Sequence, residues 1–334
     1  MAKLKKKVLC LFEEEIKSLL SLKEAIIAVE KSFAAFNSGK AILPGVINLD
    51  LSQNQGEVHV KGAYLEGDDL YIIKIASGFY LNPSLGLPVG NGLILAFSAK
   101  TGNLEALLFD RGYLTEIRTA AAGAVAAKYL SRSSLERVAI IGSGTQARFQ
   151  LKALALVRSF SQVAVWSRQP ENVNRYLEEM KIAFPATRFM AATSPEKAIK
   201  DADLIITATP SRNPIVRAEW LVPGVHITAV GSDGPEKQEL FPEVLIRADL
   251  IYADSIKQAS FLGEIHHALK NGLIDEHKIT GEIGEIILGQ KPARTSENQI
   301  TIADLTGLGV QDAAVSTLVL EKAAKAGVGH YLEI

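Results

Sequence analysis

The sequence predicts an α/β chain in which a doubly wound parallel sheet is joined to an α+β domain. Three observations predict it. From Arg137 onward, short apolar runs alternate with helical stretches, which is the rhythm of parallel strands covered by helices. The first of these runs ends in a glycine-rich turn, IGSGTQA, that opens a helix. Ahead of it, residues 46–109 show short apolar runs separated by Gly, Asp and Asn, the pattern of a sheet built partly from adjacent strands. A length of 334 residues with 48% apolar content is ample for two cores. The expected division is residues 1–133, completed by 312–334, against residues 134–311.

Taken in order, the basic start at residues 1–7 resembles the charged region of a secretory signal. The apolar stretch behind it, VLCLF, is too short for one and runs into Glu13, Glu14 and Glu15, so export is not expected. Ser21-Leu22-Lys23-Glu24 reads as a capping box that starts an amphipathic helix to Phe36, stopped at Gly39. VINLDL, EVHVKGAY, LYIIKIA, GLILAFS and LEALLF are the predicted strands of the first domain. Residues 115–130, ending AAAGAVAAKYL, predict a helix whose small residues suit close packing on another backbone, placed at the junction between domains. A short polar hinge is expected at 131–135. Then come RVAII and a helix at 145–157, QVAVW and a helix at 171–182, and the strands DLIITAT, HITAV, DLIYAD and ITIADLTG. The last helix, 311–325, is expected to return to the first domain.

Composition narrows the partners. The 36 basic and 37 acidic residues nearly cancel, which argues against nucleic acid and points to a small molecule. A single cysteine, Cys10, rules out an intrachain disulfide framework and fits a reducing compartment, so a cytoplasmic location is expected. No apolar run approaches the ~20 residues that span a bilayer, and no membrane association is expected.

The turn carries the most specific chemistry. Gly142, Gly144 and Ala147 follow an apolar strand and open a helix, as the G-x-G-x-x-G/A dinucleotide fingerprint of a Rossmann sheet requires. Gly142 permits the tight turn, Gly144 lets backbone approach a pyrophosphate, and Ala147 keeps helix and strand close. The helix N-terminus at Thr145 and Gln146 offers free N–H groups and a positive dipole end to the anion. At the end of the next strand an acid would bind the ribose of NAD, but VAVWSRQPEN offers Ser167 and Arg168. A hydroxyl and a guanidinium suit a 2′-phosphate, which favours NADP(H). NAD(H) stays open if Arg168 is solvated and Glu171 serves the ribose.

Lys74 interrupts the apolar strand LYIIKIA, where a lysine is costly unless its charge meets a partner such as a substrate carboxylate, or its head reaches water. Arg118 could bind a carboxylate bidentately, or pair with Glu116 or Asp110. Asp233 follows a strand C-terminus, where ligands of open α/β sheets sit, and Gly231 and Gly234 would let cofactor and substrate come close. An Asp-Gly pair is also an ordinary turn. His266, His267 and Glu264 are read as a solvated helix face, and no metal is expected because no third ligand is obvious. Ser143 lacks the full nucleophile-elbow pattern.

YLTEIRTAAAGAVAAKYL, VAIIGSGTQA, GSDGPEKQEL and DLTGLGVQDAAVSTLV occur in the order seen in ornithine cyclodeaminases and mu-crystallins, and the chain resembles that family over most of its length. GEVHVKGAYLEGDDLYIIKIASGF is most similar to its ectoine-utilisation, EutC-like branch. The resemblance implies a dimerising substrate domain, a homodimer, and a Rossmann domain with substrate in the cleft between the two. It also implies that Lys74 and Arg118 hold the substrate carboxylate, that Asp233 exchanges protons with the amine or attacking water, and that Thr119 assists cofactor binding.

Two positions depart from the family. Asn48 in VINLDL replaces an arginine that would be a third carboxylate ligand, and Glu57-Val58-His59-Val60-Lys61 offers no clear match to the glutamate that faces a distal amine, which removes the ground for ornithine as substrate. Lys61 shares a strand face with His59; it could replace the missing arginine or be a solvated lysine. The reading that follows is an NADP-preferring ketimine reductase or amino-acid dehydrogenase acting on an amino or imino acid. A cyclodeaminase that recycles bound NAD and a non-catalytic crystallin-like NADP-binding protein are the alternatives.

Overall fold

Interior strands of a parallel sheet must be apolar on both faces, and the runs from Arg137 onward meet that demand. In the computed structural model, which describes residues 6–334, they form β8 (Arg137–Ile141), β9 (Gln162–Trp166), β11 (Leu204–Thr207), β12 (His226–Ala229), β13 (Leu250–Ala253) and β15 (Thr301–Asp304). Two short strands that the sequence pattern does not mark, β10 (Arg188–Ala191) and β14 (Gly281–Glu282), close the edges. The order is β10-β9-β8-β11-β12-β15-β13-β14, parallel throughout. Helices α4 (Thr145–Leu154), α5 (Pro170–Ala183), α6 (Pro195–Ile199), α7 (Glu243–Arg247), α8 (Ile256–Ala259), α9 (Gly263–Lys270) and α10 (Ile283–Ile287) belong to the same unit. Alternate residues of β8 enter two separate cores: Val138 and Ile140 pack with α4 and α5, whereas Ala139 and Ile141 pack with the cluster that contains Val244 and Ile265. That division is what a doubly wound sheet means physically. Strand order reverses between β8 and β11, so the connections that leave their carboxyl ends run apart and a crevice lies between them.

The other unit is built on a mixed sheet of β1 (Lys7–Phe12), β2 (Ala41–Ile42), β3 (Ile47–Leu51), β4 (Gly56–Leu65), β5 (Leu70–Phe79), β6 (Gly90–Ser98), β7 (Leu104–Phe109) and β16 (His330–Glu333). The main path runs β16-β1-β7-β6-β5-β4-β2, with β3 also paired to β4. The apolar residues after the basic start are β1, parallel to β7 and antiparallel to β16; residues 1–5 of that start lie outside the described residues. Helices α1 (Glu13–Leu19), α2 (Leu22–Asn37) and α11 (Gly309–Ala326) complete the unit, and α11 packs on α2, β4 and β5. Ser21 and Glu24 form the expected capping box of α2. A methyl group on Gly309 would lie 2.3 Å from the Gly62 carbonyl oxygen, so only glycine lets α11 start this close to β4.

The chain divides between Arg118 and Thr119, and again between Gly307 and Leu308, rather than at residues 131–135 and 311/312. The first of these points lies inside α3 (Tyr113–Leu130). From Thr119 on, the helix packs with the parallel-sheet unit: Gln150 Nε2 donates to the Thr119 carbonyl at 2.9 Å, and Ala127 joins the core of Leu135, Val138 and Leu151. Cβ on Gly123 would fall 2.0 Å from Gln150 Oε1. The small-residue run thus permits close approach of α3 to α4, and the polar segment after it is an internal connection. Among the described residues no helix is long and apolar enough to cross a membrane.

Candidate functional site

The β8–β11 crevice is lined by Gly142, Ser143 and Gly144 from the turn, Trp166 at the end of β9 with Ser167, Arg168, Gln169 and Asn172 after it, and Ala208, Thr209, Pro210, Ser211 and Ile215 beyond β11. Gly142 has φ 122°, and a Cβ there would meet the Ala208 carbonyl oxygen at 2.5 Å, so both the conformation and the neighbouring strand require glycine. Gly144 differs. A Cβ on it would meet nothing within 4 Å, so packing within the protein does not require glycine here, and the bare backbone is open to close approach from the crevice. Gly144 is also the N-cap of α4 and supplies no side-chain cap, the kind of helix end that suits an anion. Arg148 braces the turn from behind: its Nη1 donates to the Ser143 and Gly144 carbonyls while Glu179 holds the rest of the guanidinium. Ser143 Oγ donates to Ser167 Oγ at 2.9 Å. These residues fit a dinucleotide phosphate.

Ser167 and exposed Arg168 stand where the sequence places the ribose end, and Glu171, on α5, is not among the lining residues. Thr145 is exposed at the start of α4, Gln146 is partly buried, and Ala147 is fully buried beneath the turn. Thr119, partly buried on α3, and Gly231, just past β12, lie outside the lining set. Asp233 follows Gly231, half-buried, and accepts an ion pair from Lys237 at 2.7 Å.

In the other unit the structure assembles the predicted cations around a residue the sequence reading missed. Lys74 is 2% exposed on β5, and its Nζ lies 3.0 Å from both carboxylate oxygens of Asp312 on α11. Arg118 Nε donates to Asp312 Oδ1 at 3.0 Å and Nη1 to Gln311 Oε1 at 3.0 Å. The internal partner of Lys74 and Arg118 is therefore Asp312, not solvent, Glu116 or Asp110; Asp110 instead accepts the Leu114 N–H at the start of α3. Lys61 is 5% exposed and stands opposite Lys74 in the β4–β5 register, so it is not a solvated strand lysine. Asn48 is separate, on exposed β3, where its Oδ1 is 2.6 Å from His59 Nδ1.

Burial pushes the Lys74 ammonium down to about 7; Asp312 opposes the shift, and Arg118 and Lys61 add to it. For Asp312 burial favours the neutral acid, but Lys74, Arg118 and Lys61 outweigh it and hold the carboxylate below its ordinary range. The cluster thus gathers three basic side chains, Lys74, Arg118 and Lys61, about the buried Asp312 carboxylate.

His266 and His267 are not a solvated face. His266 Nδ1 lies 3.0 Å from the Ser260 carbonyl oxygen and His267 Nε2 2.7 Å from that of Lys237, while Glu264 is buried. The signal for Asp312 was an acid inside the apolar helix GLGVQDAAVSTLVL, legible as costly but not as a partner of Lys74.

The profile of the Ornithine cyclodeaminase/mu-crystallin family matches residues 6–327. The chain belongs to this family. Among solved structures, the family fold recurs in an archaeal alanine dehydrogenase dimer with bound NAD, 37% identical with a TM-score of 0.91, over 98% of this chain and 99% of that one. Δ1-pyrroline-2-carboxylate reductase of Thermococcus litoralis, in complex with NADH and L-proline, is 33% identical with a TM-score of 0.92 over 97% and 100% of the two chains. Iminosuccinate reductase of Paracoccus denitrificans, in complex with NAD+, is 32% identical with a TM-score of 0.88 over 98% and 100%.

Proposed function

We propose that this chain is a nicotinamide-dependent oxidoreductase that interconverts a 2-imino acid and the corresponding 2-amino acid. The observation that carries the reading is the Gly142–Gly144 turn at the β8–β11 switch point, where bare backbone and an uncapped helix end face a crevice. The three relatives named above support the substrate class, since each acts on a small acid with nitrogen at the alpha carbon. When bound, nicotinamide supplies or accepts the hydride. Lys74 and Arg118, with Lys61 beside them, hold the substrate carboxylate and orient the alpha carbon. In the reductive direction the C=N electron pair goes to nitrogen, which takes its proton from Asp233; oxidation returns that proton to the carboxylate.

At the ribose end, Ser167 and Arg168 without a lining carboxylate support NADP(H), and the NAD, NADH and NAD+ of the three neighbours support NAD(H) as the second reading. Arg168→Ala separates them: under the first it weakens NADPH by roughly tenfold or more and spares NADH, as loss of one charge-assisted contact would. Equal effects on both cofactors remove the NADP assignment.

Exposed Ile47, Leu49 and Leu51 on β3, together with the dimeric archaeal neighbour, support a homodimer. Buried Cys10 as the single cysteine fits a reducing, cytoplasmic setting. The enzymatic reading is tested by reduced-cofactor oxidation with cyclic and linear 2-imino acids, alongside ammonia release from diamino acids. Ammonia release with no net change in cofactor absorbance would favour a cyclodeaminase. Cofactor binding without turnover of any imino acid would sink both.

A further inference from the structure

Behind the crevice, the parallel-sheet unit buries a carboxylate that pairs with no cation among the described residues. Glu239 is 0% exposed. Its Oε1 accepts from the N–H and the hydroxyl of Thr209, at 2.6 and 2.7 Å, and its Oε2 accepts from the Gly231 N–H at 2.9 Å. Thr209 lies just past β11 and lines the crevice beside Gly142; Gly231 lies just past the adjacent strand β12 and leads into Asp233. One side chain therefore ties together the two loops to which the proposed function assigns cofactor and proton.

The residue type follows from what it faces. Both backbone groups are N–H donors, so the bridge needs two acceptor oxygens; the amide nitrogen of a glutamine would confront one donor with another. Gly231 makes room for it, since a Cβ there would fall 2.5 Å from Oε2 and 2.3 Å from the Thr209 carbonyl oxygen. Glu239 is itself fixed from behind. Glu264 accepts from the N–H groups of Glu239 and Leu240 at 2.8 and 2.9 Å, and the Glu239 carbonyl accepts from Ile215 and Val216 at 2.7 and 2.9 Å. Burying an ionisable group is costly without such compensation, and the donors and the buttress supply it.

We infer that Glu239 is a positioning residue: its two oxygens hold the crevice wall at Thr209 and the Asp233 loop in one register, so that cofactor binding and proton transfer both depend on a side chain that reaches neither reactant. The inference rests on the nicotinamide-enzyme reading given above. Its test is Glu239→Gln, measured for binding of whichever of NADH and NADPH the unaltered protein takes, and for kcat and the imino-acid KM at saturating cofactor. The expected result is a cofactor Kd raised and a kcat lowered by about tenfold each, with the imino-acid KM within about twofold, because the cation cluster is untouched. A residue that only stabilised the fold would lower the melting temperature and leave these constants alone. A folded Gln variant with unaltered Kd and kcat overturns the inference while leaving the enzyme reading standing; an unaltered protein that binds neither nucleotide overturns both. Amide hydrogen exchange on the unaltered protein gives a check independent of whether the variant folds. Thr209 and Gly231 should be protected, and free exchange at both would also overturn the inference.

Discussion

Asp312 sets the behaviour of the two cations that bind substrate in the proposed reaction. Breaking a buried ion pair from one side leaves uncompensated charge, which commonly costs about 3–5 kcal/mol. Asp312→Asn should therefore destabilise the protein by that order in a denaturant titration, more than an ordinary surface change, because Lys74 and Arg118 both lose their anionic partner. A loss below about 1 kcal/mol would show that the cluster is hydrated or rearranged. The Lys74 ammonium carries a second prediction. With its pKa lowered to about 7 by burial, Lys74 is charged below that pH and progressively neutral above it. If it is the carboxylate's ligand, the Ki of a 2-hydroxy acid, which has no amine of its own to titrate, rises as pH goes from about 7 to 9. In Lys74→Gln the rise should flatten. A Ki independent of pH in the unaltered protein would remove Lys74 as the charged ligand.

Among elements, the β8–α4 junction was the most legible from sequence and is the least replaceable. Its glycines carry separate meanings: Gly142 answers to the backbone of the neighbouring strand, and in the proposed function Gly144 answers to the nucleotide. Gly142→Ala should destabilise the protein by about 1–3 kcal/mol and abolish nucleotide binding, because it combines φ 122° with a carbonyl 2.5 Å from the new methyl. Gly144→Ala should leave the melting temperature nearly unchanged and still weaken the nucleotide. Equal losses of stability in the two variants would contradict this division. The small residues of helix α3 announce a close-packing helix, whereas the polar segment that follows it is not where the units divide. Composition marks a polar connection but cannot say on which side of it the contacts lie, and those of Thr119 and Ala127 are with the later unit.

For the whole molecule, stability against pH reports the buried acids of the parallel-sheet unit. Burial raises Glu239 and Asp304 to about 7, and burial with the neighbouring charges of Asp304 and Glu239 raises Glu264 well above its ordinary value. Between the unfolded values near 4 and the folded values, the folded protein binds more protons than the unfolded chain, so stability falls as pH rises through that window. For Glu239 and Asp304 the penalty grows as pH rises towards about 7 and is complete above it. Glu24 works oppositely: hydrogen bonds from Lys322 and Ser21 lower it to about 2, so its contribution is present above about 4.5 and lost in acid. Melting temperature should therefore peak between about pH 4 and 5 and decline towards pH 7, a decline made shallower below about 6.5 by His226, which burial lowers to about 3 and which must shed a proton on folding in that window. Asp304→Asn, which removes one of the three charges, should make that decline shallower; an unchanged slope would show that the buried acids do not control it.

Periodicity and glycine spacing in the sequence determined the parallel sheet, the glycine-rich turn after β8 and the capping box of α2, because each is set by residues close along the chain. Lys74 and Arg118 could be singled out for the same local reason: a charge in an apolar run is conspicuous. What only tertiary structure decided is what those charges meet. Asp312 stands 238 residues from Lys74, and Thr209 and Gly231 are joined by Glu239 only because β11 and β12 are neighbours in the sheet. The cost of burying a charge can be read from one residue and its neighbours in sequence; the partner that offsets it is chosen by the packing of elements far apart in the chain.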